Sequence, residues 1–239
     1  MRIFSFGVMR GGIHVVGAWL LHKFPKKSVN YYNNVRDYDS LEDRLILSTD
    51  TRLTTSDGNP CDIASRLTQV SSFNSFFSFE SKHIHLISKH ILADDFSVII
   101  LRNPYHNLAS SIRYLESGGE CKDIVIDENF ERIWIEHASE AKQTIHLNRG
   151  TKVIILYDLF IKFPIYRQKK SKLLGLDPKD EYLGGLAMGG GSSFGKGNYS
   201  YTSRADGYKS HPAMLRIMEN SKVKRLWEHL YASESNLCV

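Results

Sequence analysis

Three short stretches hold residue types at spacings that chemistry can use. The first is Phe6-Gly7-Val8-Met9-Arg10-Gly11-Gly12-Ile13-His14, where an apolar run enters a glycine pair headed by an arginine. Glycines let backbone N–H groups approach an anion, a following helix adds the positive end of its dipole, and arginine grips phosphate oxygens in pairs. The same residues also suit an ordinary tight turn from strand to helix. The pattern GxxxxGK[ST] is absent, so the lysine and the magnesium-binding hydroxyl of an ATP- or GTP-hydrolysing loop are missing. In the second stretch Arg102 closes the β-branched run Val98-Ile99-Ile100-Leu101, and Ser110 follows eight residues later. Two helical turns can aim that hydroxyl back toward the strand end, so the pair can clamp a phosphate. The competing role is structural: Asn103 caps a helix, Pro104 starts it, and Arg102 closes an ion pair. The third stretch, Ser81-Lys82-His83-Ile84-His85-Leu86, carries histidines at alternate positions. His83–Ile87 reads as a strand, which places His83 and His85 on one side of it as candidate proton acceptors.

The elements that must position these groups follow from apolar periodicity. Ile3–Val8 reads as a buried strand and Ile13–Lys23 as a helix. Phe96–Leu101 and Lys152–Leu156 read as strands apolar on both faces. Helices are expected over Tyr105–Glu116, Asp127–Leu147, Phe163–Leu174 and His211–Ala232. The last would bury Leu215, Met218, Val223, Leu226, Trp227 and Leu230. Pro25 to Asn74 is polar and irregular, with weak strand signals at Val29–Tyr32 and Leu45–Leu47 and a helical one at Asp62–Val70. Strands alternating with helices predict a three-layer α/β/α fold around a central parallel sheet, like that of the P-loop nucleotide-binding proteins. Ligands of such sheets bind at the carboxyl ends of the strands, here Met9–His14, Arg102–Ser110 and Tyr157-Asp158.

The 239 residues, 42% apolar and 24% charged, suit one domain over 1–239 with a core of its own. Three cysteines, Cys61, Cys121 and Cys238, stand far apart without metal-ligand spacing, and read as free thiols of a reducing compartment. No secretory signal or membrane-length apolar run is visible, so a cytoplasmic protein without a membrane partner is expected. The net charge of +5 fits an anionic ligand. Basic residues are scattered, which speaks against nucleic acid. The densest run, Arg167 to Lys172, reads as a solvated helix face.

These motifs resemble the PAPS-dependent sulfotransferases. That family follows its first strand with a 5′-phosphosulfate loop, [KR]-S-G-T-T or close variants, which Arg10-Gly11-Gly12-Ile13-His14 matches in position and partly in residue. Its 3′-phosphate motif, R-[DN]-P with a serine eight residues after the arginine, is matched by Arg102-Asn103-Pro104 and Ser110. Leu156-Tyr157-Asp158-Leu159, Leu174-Gly175-Leu176 and the loop Ser192–Gly197 resemble three later landmarks, so the likeness spans roughly residues 3–200. The resemblance implies a sulfotransferase that moves the sulfuryl group from PAPS to a hydroxyl or amine acceptor, a small molecule or carbohydrate, leaving adenosine 3′,5′-bisphosphate. It implies that Arg10, Gly11, Gly12, Ile13 and His14 hold the 5′-phosphosulfate, Arg102 and Ser110 the 3′-phosphate, Tyr157 the adenine side, and Lys196 the closing loop. The base it implies is His85, then His83, then His14, with Arg10 neutralising the leaving group. No metal is implied. Gly11, Ile13 and His14 replace hydroxyl residues of the family loop, and Trp19 stands one turn beyond the position of its adenine-stacking aromatic. Those departures leave a second reading, a sulfotransferase-like chain that binds a nucleotide or glycan without turnover. A third, a P-loop kinase-like phosphotransferase, lacks its lysine.

Overall fold

In the computed structural model the described residues are 1–8, 10–23, 29–32, 74–117, 128–143, 145–147, 149–179 and 203–238. Five strands form one sheet: β1 (Arg2–Gly7), β2 (Val29–Tyr32), β3 (Asn74–Glu80), β4 (Phe96–Leu101) and β5 (Thr151–Leu156). Their order is β2-β3-β1-β4-β5 and every pairing is parallel. The predicted α/β/α architecture with a central parallel sheet is therefore what the chain adopts. β1, β3 and β4 are central, so their side chains are buried on both faces.

The helices follow as α1 (Ile13–His22), α2 (Ile84–Ile87), α3 (Pro104–Glu116), α4 (Glu128–Ala141), α5 (Tyr157–Lys162), α6 (Pro164–Leu173), α7 (Ser203–Asp206), α8 (Pro212–Glu219) and α9 (Ser221–Ser235). One sheet face carries Phe4, Phe6, Phe77 and Phe79, whose rings stack across β1 and β3 at 5.0 to 6.2 Å between centroids. α4 lies on this face, since the His137 ring meets Phe6 edge-on. α1 lies on the other, where Ile13 packs over Gly7. Each fully buried aromatic or aliphatic side chain stabilises the fold by roughly 1.5–3 kcal/mol, so packing on two faces holds the sheet.

Three expectations are corrected. His83–Ile87 is not a strand; the strand is β3, directly before it, and Ile84–Ile87 is the short helix α2. β3 is hidden in the sequence because polar residues, Asn74, Ser75, Ser78 and Glu80, break its apolar pattern on both faces. Ser75 and Ser78 are nonetheless buried, at 1% and 0% exposure, and serine gives no apolar signal. The predicted helix His211–Ala232 is two helices, because the Asn220 side chain accepts from the N–H groups of Lys222 and Val223 and restarts the chain as α9. Ala213, Met214 and Ile217 are the buried side of α8, while Leu215 and Met218 are exposed. The Arg167–Lys172 face is not simply solvated, since Arg167 and Lys170 are buried. Leu45–Leu47, Asp62–Val70 and Ser192–Gly197, with Lys196, lie outside the described residues.

Candidate functional site

The turn after β1 is built by close contacts that exclude side chains. Arg10 has a left-handed backbone, φ 62°, and Gly12 follows at φ 96°. A Cβ on Gly11 would lie 2.5 Å from the Val8 carbonyl oxygen and 3.0 Å from Oδ1 of Asn107 on α3. A Cβ on Gly12 would overlap the Tyr157 ring. The Gly11 N–H donates to the Val8 carbonyl at 2.8 Å, closing the turn, and the Gly12 carbonyl accepts from Val16 N–H at 3.1 Å, opening α1. A non-glycine residue in the left-handed region costs about 1 kcal/mol or more, and such residues cluster at ligand sites.

Three strand ends meet at this turn. Arg102, just past β4, is only 6% exposed, and its Nη1 donates to the Arg10 carbonyl at 3.0 Å. Its guanidinium lies 5.4 Å from the centre of the Tyr157 ring, which opens α5 past β5. Nε of Arg102 is buried without a hydrogen-bond partner. Burial lowers the pKa of both Arg102 and Arg10, with nearby Asp158 opposing it at Arg102. A desolvated cation with an orphaned buried donor is suited to an anion. Ser110 is buried on α3 beside Asn107 and Ser111. Asn103 does cap α3, accepting from the N–H groups of Tyr105 and His106. Its own N–H donates to Asp158 Oδ2 at 2.7 Å, and Trp134 Nε1 donates to the Arg102 carbonyl at 3.2 Å. The cap and the arginine are thus separate parts of one motif. Burial pushes Asp158 up to about 6 against the pull of the Asn103 N–H and Arg102.

One residue joins the site that sequence reasoning did not single out. Glu80, at the end of β3, pairs through Oε1 with Nε2 of His14 at 3.0 Å. Burial alone would lower the His14 pKa, but the Glu80 carboxylate outweighs it and holds His14 above its ordinary 6.5. Glu80 also bears electrostatically on Arg10. The only sequence signal was a carboxylate at a strand end, and that strand was not recognised. Arg10, Gly11, Gly12, Ile13, His14, Arg102, Ser110 and Tyr157 all fall on the β1, β4 and β5 ends or the helices they lead into. His83 and His85 do not share these contacts. Both turn to Glu136 on α4, at 2.6 and 3.0 Å. Trp19 is 3% exposed and packs edge-on against Phe160 at 5.1 Å, so it is a core residue rather than a stacking platform.

No protein-family model and no curated protein sequence matches the chain. Among solved structures, that of mouse sulfotransferase SULT7A1 complexed with PAP superposes with a TM-score of 0.51 over 95% of this chain and 88% of that one, at 11% identity. The chain has a sulfotransferase-like fold. Identity this low carries the architecture alone. Among the described residues no helix is long and apolar enough to cross a membrane.

Proposed function

We propose that this chain is a PAPS-dependent sulfotransferase acting on a hydroxyl or amine acceptor, a small molecule or carbohydrate. The observation that carries the reading is the buried Arg102 guanidinium with an unsatisfied Nε, tied to the backbone of the glycine turn. The donor set fits the two anionic ends of such a nucleotide. Arg10, the N–H groups of the turn and the start of α1 would hold the 5′-phosphosulfate, and Arg102 with Ser110 the 3′-phosphate. Tyr157 fixes both, packing on Gly12 and under Arg102. When bound, PAPS supplies a sulfuryl group on a phosphate leaving group. Transfer then needs alignment and a neutralising cation, which Arg10 provides. Lys196 belongs to this proposal as the closing loop's cation. So does a cytoplasmic location.

For the base, the contacts favour His14 over His85 and His83. His14 Nε2–H faces Glu80, which is the more buried of the two. A carboxylate behind an imidazole fixes its tautomer and strengthens it as a base, leaving Nδ1 to take the acceptor's proton. The replacement of the loop hydroxyls by Gly11, Ile13 and His14 supports one other reading, a nucleotide-binding chain without turnover.

The test is calorimetric titration of the wild type and Arg102→Ala with adenosine 3′,5′-bisphosphate, 5′-AMP and ATP. Binding that requires the 3′-phosphate and weakens at least tenfold in the variant is expected. Equal or absent binding of all three would overturn the assignment. Binding without sulfuryl transfer to any hydroxyl or amine acceptor in a broad panel would favour the second reading.

A further inference from the structure

A second cluster, formed by the exit of β3 and by α4, is not used by this chemistry. Nδ1 of His83 and Nδ1 of His85 both point at one atom, Oε2 of Glu136, at 2.6 and 3.0 Å. The two imidazole rings stand 5.0 Å apart between centroids. The donor atoms of the three residues all lie within 4.8 Å of one another. Ser81 creates the convergence: its backbone is left-handed at φ 51°, and its N–H donates to the Gly7 carbonyl at 2.8 Å. The chain thereby leaves the sheet and starts α2 with His83 as its first flanking residue. The other carboxylate oxygen, Oε1, is held by the backbone N–H of His85 at 3.2 Å. On the next residue of α4, His137 Nε2–H donates to the Lys82 carbonyl at 2.8 Å, so α4 grips the segment on both sides.

We propose that His83, His85 and Glu136 bind a divalent transition-metal ion of the zinc type, with the fourth position open to water. Two imidazoles and a carboxylate are a donor set that zinc takes, with bonds of about 2.0–2.2 Å and hence donors roughly 3.3 Å apart. The two histidine–carboxylate distances, 2.6 and 3.0 Å, need to open by less than about 1 Å to reach that spacing. The carboxylate is already oriented by the His85 N–H, as an outer partner orients a ligand. His83 and Glu136 are largely buried while the His85 side chain is half exposed, which leaves an entry path and room for the water. The ion would staple the β3 exit to α4 and so steady the strand that presents Glu80. It replaces the base role expected for His83 and His85, and it revises the expectation that the chain needs no metal. It stands whether or not the chain binds PAPS.

The experiment uses the full chain, free of any affinity tag, stripped with chelator and desalted. Zn²⁺ is titrated by calorimetry, and Co²⁺ is followed by its visible absorption, which reports a tetrahedral site. One equivalent binding in the micromolar range or tighter is expected. So is a loss of tenfold or more in His85→Ala and Glu136→Gln, with His229→Ala, an exposed histidine of α9, unchanged. Zn²⁺ at 100 times its Kd should raise the melting temperature of the wild type by about 5 °C or more and leave His85→Ala unmoved. Binding weaker than about 1 mM, or equal binding by wild type and His85→Ala, overturns the proposal. His85 is exposed, so its variant is not expected to unfold; His83→Gln provides a second readout on the buried ligand.

Discussion

Arg10 and Arg102 lie close enough across the glycine turn to repel each other, and each stands against an aromatic ring. Arg10 lies 5.1 Å from the centre of Tyr114, and Arg102 lies 5.4 Å from that of Tyr157. Burial lowers the pKa of both cations, and Glu80 near Arg10 and Asp158 near Arg102 only partly offset it, so an anion bound between them would relieve the cost of their desolvation. At the other end of the turn the balance is reversed, because His14 has Glu80. Its raised pKa means that the pair's stabilisation is fully present below 6.5 and is lost as pH rises through the folded-state value. Glu80→Gln should therefore drop the His14 pKa below its wild-type value, because burial then acts unopposed by the carboxylate. An imidazole proton titration by NMR reads this directly. An unchanged His14 pKa would remove Glu80 from the proposed base pair.

Among elements, α6 shows how a helix that reads as solvated becomes structural. Lys170 Nζ meets Glu234 Oε2 of α9 at 2.5 Å, and Tyr166 Oη donates to the same oxygen at 2.5 Å while accepting from Leu156 N–H at 2.9 Å. This joins α9 and α6 to the last residue of β5, next to Tyr157. Burial lowers Lys170 and raises Tyr166, so the charge is held by its partner rather than by water. Removing one member of a buried pair costs about 3–5 kcal/mol. Lys170→Ala should cost that order of stability in urea unfolding, and adding Glu234→Leu should recover most of it. A loss below about 1 kcal/mol would show that water reaches Glu234.

For the molecule as a whole, two desolvated groups near the sheet, the buried His137 and the partly buried Asp158, set opposite responses to acid. His137 is pushed down to about 4 by burial on Phe6, so its neutral form favours folding and stability falls as pH drops from about 6.5 to 4. Asp158 is pushed up to about 6, so the folded state binds the proton more tightly and stability falls as pH rises from 3.8 to 6. Across that shift of roughly 2 units the Asp158 contribution is on the order of 3 kcal/mol. Asp158→Asn, which keeps an acceptor for the Asn103 N–H, should be stabilised relative to wild type at pH 7 and should lose that advantage by pH 4. Parallel denaturant curves at the two pH values check it, and a pH-independent difference would contradict it.

What the sequence determined by itself was local. The apolar runs of β1, β4 and β5, the glycine turn, and the Arg102-Asn103-Pro104 strand end are each written in a few consecutive residues, because burial on two faces, positive φ and helix capping act over one or two turns of chain. That was enough to place Arg10, Arg102 and Tyr157 at three strand ends and to predict that the ends would meet. Tertiary structure decided whatever depended on a partner distant in sequence. Glu80 reaches His14 only because β3 lies beside β1 in register, with Gly7 opposite Glu80. His83 and His85 left the expected strand face because α4 offered Glu136, and Lys170 was buried because α9 brought Glu234. A charged or polar side chain has no preference for inside or outside until its counterpart is fixed in space, so its pattern in the chain cannot announce its role.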